Sequence, residues 1–262
     1  MIDDYLINIL IMISGFGSGL FVGIASGTAG AIMIPCLTIF VGYSVHQAIG
    51  TSLLVDCVIG GVAGLIFLRN GNVDFKPVIV LAFMGVIGAF AGSMFTSGTS
   101  ELGLSLLIGL FLMLIGVNFI VNGIQKNIDF IEEKINFNFF RDKKIYTFVI
   151  LGLLVGFASG FAGMGSSSIV AIILIFVLGY DIRTAIGTSL LMMSFIAGSG
   201  ATGHFLNGEV VVNVALIAVC AAAVGSVTGS LVANHIGENK LGKLIGVVVL
   251  VLGMMIFIKI FL

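Results

Sequence analysis

Long apolar runs separated by short polar punctuation continue along all 262 residues, with little of the strict alternation of a surface strand. In the first half the apolar segments are Tyr5 to Gly42, then Ser44 to Arg69, Val73 to Ser97 and Glu101 to Asn122. In the second half they are Tyr146 to Gly179, then Ile182 to Leu206, Val210 to Ala233 and Lys240 to Leu262. Most reach the ~20 residues that an α-helix needs to cross a bilayer, and their length and lack of period-2 patterning argue against a porin-like barrel. The first segment of each half is different: it is too long for one span and is interrupted by a cluster of small residues. The opening MIDDYLINIL has no basic n-region and leads into an apolar run too long for a signal peptide, so it is expected to be a retained span.

The halves echo each other. Ala48 to Leu54 spells AIGTSLL, and Ala185 to Leu191 repeats it 137 positions later. At that offset Gly42-Tyr43 matches Gly179-Tyr180, Asn70-Gly71 matches Asn207-Gly208, and Gly88 and Gly92 match Gly225 and Gly229. VGIASGTAG at Val22 to Gly30 matches VGFASGFAG at Val155 to Gly163 at an offset of 133, which implies about one extra helical turn in the second copy. The expected fold is an all-α polytopic membrane protein of two repeats, each a broken-helix hairpin plus three transmembrane spans, 8–10 membrane segments in total. The expected organisation is an N-terminal membrane repeat over 1–122, a linker over 123–145 and a C-terminal membrane repeat over 146–262.

Composition agrees with the pattern: 59% of residues are hydrophobic, 9% are charged and the mean hydropathy is +1.27. Basic residues set the orientation. The connection GIQKNIDFIEEKINFNFFRDKK carries Lys126, Lys134, Arg141, Lys143 and Lys144 and is expected in the cytoplasm, at the inner membrane of a cell. Counting spans from it places Arg69, Lys76, Arg183, Lys240 and Lys243 inside as well, leaving only Lys259 near the outer face, with both termini outside. Equivalent loops of the halves then fall on opposite sides, so the repeats are inverted. Inverted repeats around interrupted helices are the pattern of secondary transporters. Ile124, Ile128, Ile131 and Ile135 in the connection recur at helical spacing, which suits either a surface helix or a solvated loop.

The limb from Ala31 to Val41 would reach about 16 Å as a helix, against about 30 Å of hydrocarbon, so the break at Ser26 to Gly30 is expected near mid-membrane. Its counterpart is the break Ser159 to Ser168. Backbone N–H groups and hydroxyls beside such breaks suit an anion. The candidate substrate-binding residues are Ser26, Thr28, Gly30, Thr51, Ser52, Gly163, Gly165, Ser166, Ser167, Ser168, Thr188 and Ser189. Thr51-Ser52 and Thr188-Ser189 would each lie about 10 Å in from opposite mouths. Small residues and hydroxyls also serve helix packing and backbone bonding, which is the competing role for all of them. Asp56 is the one acidic residue inside a clean span and is the candidate proton carrier. His46 and Arg183, at equivalent mouths, could attract an anion or anchor the helix ends.

No cofactor or metal is expected: His204 and His235 lack ligand spacing, and Cys36, Cys57 and Cys220 are isolated. Nucleic acid is not an expected partner; a small anion, protons and the bilayer are.

A glycine-rich break, a short limb with proline in SGTAGAIMIPCLTIF, then GYSVHQAIGTSLL, echoed by SGFAGMGSSSIVAIILIFVLGYDIRTAIGTSLL, resembles the TauE/SafE family of membrane permeases over nearly the whole chain. The second limb departs from the family pattern in having serines at 166–168 and no proline. The resemblance implies transport of sulfite or organosulfonates, mostly outward, with proton coupling. The function expected is therefore a secondary transporter of small anions working by alternating access. An anion-selective channel is the alternative. An intramembrane hydrolase is more remote, since no G-x-S-G stretch occurs and Asp56 has no second carboxylate at its depth.

Overall fold

A computed structural model describes residues 4–134, 144–163, 167–233, 247 and 250–258. Helices account for nearly all of the described chain. α1 is Asp4–Ala25, and α2 is Gly30–Pro35, continued by a π-helical segment over Cys36–Val41. α3 is Val45–Arg69; a 3₁₀ turn over Lys76–Val78 precedes α4, Ile79–Thr96; α5 is Glu101–Lys134. The second half has α6 Lys144–Ala162, α7 Ser167–Leu178, α8 Ile182–Leu206 and α9 Val212–Ala233, with a final helical stretch over 250–258. Six of these are long and apolar enough to cross a membrane.

The interrupted first segments are present. α1 and α2 are separated by Ser26 to Ala29, where Ser26 adopts φ 50°, a left-handed conformation that is uncommon for a side chain larger than glycine. The second break differs from the expectation. Ser159 to Ala162 remain helical in α6, and the break starts at Gly163, which has φ 66°. Ser26 and Gly163 lie 137 apart, and so do the starts of the limbs, Gly30 and Ser167. The second half therefore carries no extra turn. The match at an offset of 133 is a slip of one turn along stripes in which glycine recurs at every fourth position, Gly15, Gly19 and Gly23 against Gly152, Gly156 and Gly160.

Two further boundaries move. The span expected from Val73 becomes helical in α form only at Ile79, after the 3₁₀ turn containing Pro77. The helix begun at Glu101 runs past Asn122 into the expected linker, through Lys134. Residues 135–143 of that linker, with Arg141 and Lys143, and also His235, Lys240, Lys243 and Lys259, lie outside the described residues.

Packing joins the halves at every level. The most extensive helix contacts are α4 with α6, α1 with α9 and α3 with α8, each across the duplication. In α1 against α9, Gly15 lies on Ala218, Gly19 on Ala222 and Gly23 on Ser226, so these helices are parallel. In α4 against α6, Gly85 meets Gly152 and Gly156, and Gly92 meets Phe157, which is again parallel. α3 and α8 are antiparallel: Gly50 lies against His204, Gly60 against Leu190 and Gly64 against Leu191. Since α3 and α4 are joined by a short turn, as are α8 and α9, the equivalent helices of the two halves run in opposite directions.

Small residues make this possible because lipid tails give helices no hydrophobic reason to associate; close backbone approach supplies dispersion instead. Many large apolar chains are turned outward, among them Tyr5, Ile13, Phe83, Phe95, Leu154 and Leu216, while the centre mixes buried hydroxyls and small residues with fully buried chains such as Ile49, Leu53 and Met193. Gly19→Ala would drive a methyl into the carbonyl of Ala222, whereas Gly17 on the same helix faces open space. The expected result is a loss of about 1–3 kcal/mol for Gly19→Ala and no loss for Gly17→Ala, read as thermal midpoints in detergent.

Candidate functional site

The first break is organised by one carboxylate. Asp56, at the start of the fourth turn of α3, is fully buried. Its Oδ1 accepts the backbone N–H of Ala29 (2.7 Å) and its Oδ2 accepts the Thr28 hydroxyl (2.7 Å), which in turn accepts from Gly30 N (3.1 Å). Both oxygens act as acceptors, the arrangement that suits an ionised carboxylate. Asp56 thus holds the first turn of α2 from a helix remote in sequence. Its counterpart 137 positions on is Met193.

The second break closes on the first. Ser167 Oγ at the start of α7 faces the carbonyls of Ser26 (2.8 Å) and Gly27 (2.7 Å), and Ser168 Oγ donates to Ser26 O (2.5 Å). Ser26 Oγ lies 3.2 Å from Ser189 Oγ, which also donates to Ile186 O (2.9 Å). Gly30 packs directly on the carbonyl of Gly163, the equivalent contact from the opposite half. Ser26, Thr28, Gly30, Gly163, Ser167, Ser168 and Ser189 are therefore gathered where the two breaks meet, with Asp56 below Thr28. Gly165 and Ser166 lie outside the described residues. Ser159 Oγ, one turn before the second break, is buried without a hydrogen-bond partner among the described residues.

The repeated AIGTSLL does something else. Thr51 Oγ1 accepts the N–H of Val211 (3.1 Å), and Thr188 Oγ1 accepts that of Asp74 (3.0 Å). Gly50 sits beneath the carbonyl of Glu209, and Gly187 beneath that of Asn72. These are the same contacts made twice, since each pair is related by 137. Each copy seats the turn that follows the opposite half's antiparallel helix. Ser52 donates to Ile49 O within its own helix (2.9 Å). Thr51, Ser52 and Thr188 are not brought to the junction of the breaks.

Ser44 and Asp181 explain why α3 and α8 start where they do. Ser44 accepts from Gln47 N while Gln47 returns the bond to Ser44 N, a reciprocal cap. Asp181 accepts from Arg183 N and Thr184 N (3.1 Å each), and its bonds to Thr184 hold the carboxyl below the usual carboxylate range. His46, in the first turn of α3, is engaged: Nε2 faces the carbonyls of Thr96 and Thr99 (3.1 Å each), and Nδ1 lies 3.7 Å from Glu101. Arg183 is exposed.

Sequence reasoning did not anticipate the pair His204 and Glu209. His204 Nδ1 lies 2.6 Å from Glu209 Oε2, and Nε2 faces Gly160 O at 2.9 Å. The spacing of five across a helix end contains Asn207-Gly208, a turn signal that returns the chain, and was the available clue. Among the described residues, no three His, Cys, Asp or Glu side chains are grouped to hold a metal ion.

A family model described as sulfite exporter TauE/SafE matches residues 11–256. The chain is 27% identical to the "Probable membrane transporter protein YdhB" of Bacillus subtilis (strain 168), the match covering 83% of this chain and 88% of that one. It is 23% identical to "Probable membrane transporter protein YunE" of the same organism, over 94% and 95% of the two chains. A third relative, "Probable membrane transporter protein MJ0441" of Methanocaldococcus jannaschii, is 24% identical, covering 94% and 93%. No solved structure matches the chain.

Proposed function

We propose that this chain, which belongs to the sulfite exporter TauE/SafE family, is a secondary transporter of small anions, sulfite or organosulfonates and related sulfur oxyanions, working by alternating access with proton coupling. Membrane transport follows from the family and from the six apolar helices. The observation that carries the finer reading is the meeting of two interrupted helices from halves that run in opposite directions, with hydroxyls from both and a buried carboxylate beside them. The substrate-binding set is Ser26, Thr28, Gly30, Gly163, Ser167, Ser168 and Ser189, to which the sequence adds Gly165 and Ser166. Thr51 and Thr188 act at one remove by holding the turns at Val211 and Asp74, Ser52 lies beside Thr51, and His46 and Arg183 are assigned to opposite mouths.

In the arrangement observed, the hydroxyls of Ser167 and Ser168 are spent on the carbonyls of Ser26 and Gly27. An incoming oxyanion is a stronger acceptor than a carbonyl and takes those hydroxyls over. The exchange parts the two breaks, which is the local step that lets one half rock against the other. The anion then shares the site's surroundings with the Asp56 carboxylate. Like charges raise each other's proton affinity, so anion binding favours a proton on Asp56. That proton would sit on Oδ2 and reverse its bond with Thr28, loosening the start of α2. Charge is carried in part by the proton, and movement of anion and proton is linked. The repeats, 1–122 and 146–262, supply one break each, and the basic connection is placed in the cytoplasm.

The test is flux of sulfite and short sulfonates into liposomes holding the purified protein. A saturable flux that responds to an imposed proton gradient is expected. Flux rising linearly with concentration and indifferent to pH would establish the channel instead. The double variant Ser167→Ala/Ser168→Ala should weaken sulfite binding by roughly a hundredfold or more, at about 1.5–3 kcal/mol for each of two hydrogen bonds to a charged group. Unchanged half-saturation in that variant would remove these serines from the site.

A further inference from the structure

We propose that His204 and Glu209 together form a proton-binding site, and that the proton they hold fastens the α8–α9 turn to α6. His204 is fully buried, and its Nε2 faces a backbone carbonyl, Gly160 O, which can only accept. Nε2 therefore carries a hydrogen. Nδ1 lies 2.6 Å from Glu209 Oε2, a separation at which one proton must lie between the two. Imidazolium with carboxylate, or neutral imidazole with carboxylic acid, are the two ways of placing it, and both give a pair of zero net charge. Removing that proton leaves a nitrogen lone pair against a carboxylate in a buried place, and the pair must separate. Glu209 retains 14% of its side-chain surface, so the proton has an exit towards solvent that His204, at 0%, does not offer.

What separation would undo is specific. Glu209 N donates to His204 O, Gly50 sits beneath the Glu209 carbonyl, and Val211 N is held by Thr51. Gly160 lies one turn before the second break, so the pair ties that end of α6 to α8, to the turn and to α3. The other half builds the same turn with Phe67 and Asn72 in place of His204 and Glu209, which shows that the turn itself needs no ionisable pair. Other charged or titratable groups do not crowd the pair. Among the described residues, α4 has none; α3 carries His46, engaged with Glu101 and with Thr96 and Thr99 carbonyls, Asp56, bound to the first break, Cys57 beside it and Arg69 at the opposite end. α6 has only Lys144 and Tyr146 at its far end, and α9 only Cys220.

The experiment is nitrogen NMR of histidine-labelled protein in nanodiscs, where the chain's three histidines are told apart by His204→Phe. Nδ1 of His204 should lose one proton as the pH is raised while Nε2 stays protonated, and Glu209→Gln should abolish that transition. In parallel, exchange of the Val211 amide, corrected for its intrinsic rate, should accelerate about tenfold above the transition in the native protein. It should stay slow at all pH values in His204→Phe/Glu209→Asn, which installs the other half's solution. A His204 ring that keeps one protonation state throughout, or titrates identically in Glu209→Gln, overturns the site; a Val211 amide indifferent to the transition overturns the fastening. The proton site does not rest on transport: pH-independent sulfite flux with His204 still titrating would defeat proton coupling and leave this site standing.

Discussion

Asp56→Asn is expected to remove the response of anion flux to a proton gradient while the protein remains folded, and Asp56→Met to unfold the first break. The two substitutions separate charge from hydrogen bonding. An asparagine can still accept the Ala29 N–H through its side-chain oxygen and place its amide against Thr28 Oγ1, so the start of α2 keeps its anchor without an ionisable group. Methionine is what the equivalent position of the second half carries, at Met193, yet there no break depends on it. At position 56 it would leave Ala29 N–H and the Asp56-facing bond of Thr28 unmade. Each lost partner costs about 1–3 kcal/mol for a buried group. For a chain of this size that lowers the thermal midpoint by roughly 5–20 °C. Flux with and without a pH step, and melting curves of the same preparations, are the measurements. A full pH response in Asp56→Asn would take the proton-carrier role away from this residue.

Gly50→Ala and Gly187→Ala should each destabilise the protein by about 1–3 kcal/mol or more, and by similar amounts. A methyl on Gly50 would lie 2.8 Å from His204 Cβ and against the Glu209 carbonyl; on Gly187 it would lie 2.7 Å from Phe67 Cβ and against the Asn72 carbonyl. Neither obstacle is the free end of a flexible chain, so the α3–α8 contact must spread to make room. Thr51 and Thr188, next in sequence, would then lose their amide partners at Val211 and Asp74. Because the two sites are at opposite ends of the same helix pair, their costs should add in the double variant. Thermal midpoints of the two single variants and the double variant decide the matter. If either single variant melts with the native protein, the motif is not the close contact described here.

That result would also say what AIGTSLL is for. As a string it invites a binding role, because glycine, threonine and serine inside an apolar run are what an anion site would use. Its hydroxyls turn out to be committed to backbone: Thr51 to the turn after α8, Thr188 to the turn after α3, Ser52 to its own helix. Only Ser189 reaches the junction of the breaks, through Ser26. The motif recurs because one antiparallel contact between equivalent helices is made twice.

Much was legible without coordinates, for reasons that are local. Membrane-crossing length, the break after Ala25 and the duplication depend on composition and on neighbours a few positions apart. The one-turn register of α6 was not, because a glycine stripe repeating every fourth residue looks the same after a slip of four. Contacts across the breast of the bundle settled it: Gly156 on Gly85 and Gly19 on Ala222 keep the offset at 137. Asp56 was marked by its cost in an apolar span, but nothing in its own helix indicates Thr28 and Ala29 as partners. Ser167 and Ser26 meet across 141 positions, and His204 finds Gly160 across 44. Sequence determined which segments can enter the membrane and where backbone donors and acceptors would be left over. Tertiary structure alone decided which of them satisfy one another, because a leftover hydrogen-bonding group in a bundle is claimed by whatever packing brings within 3 Å, however far away along the chain.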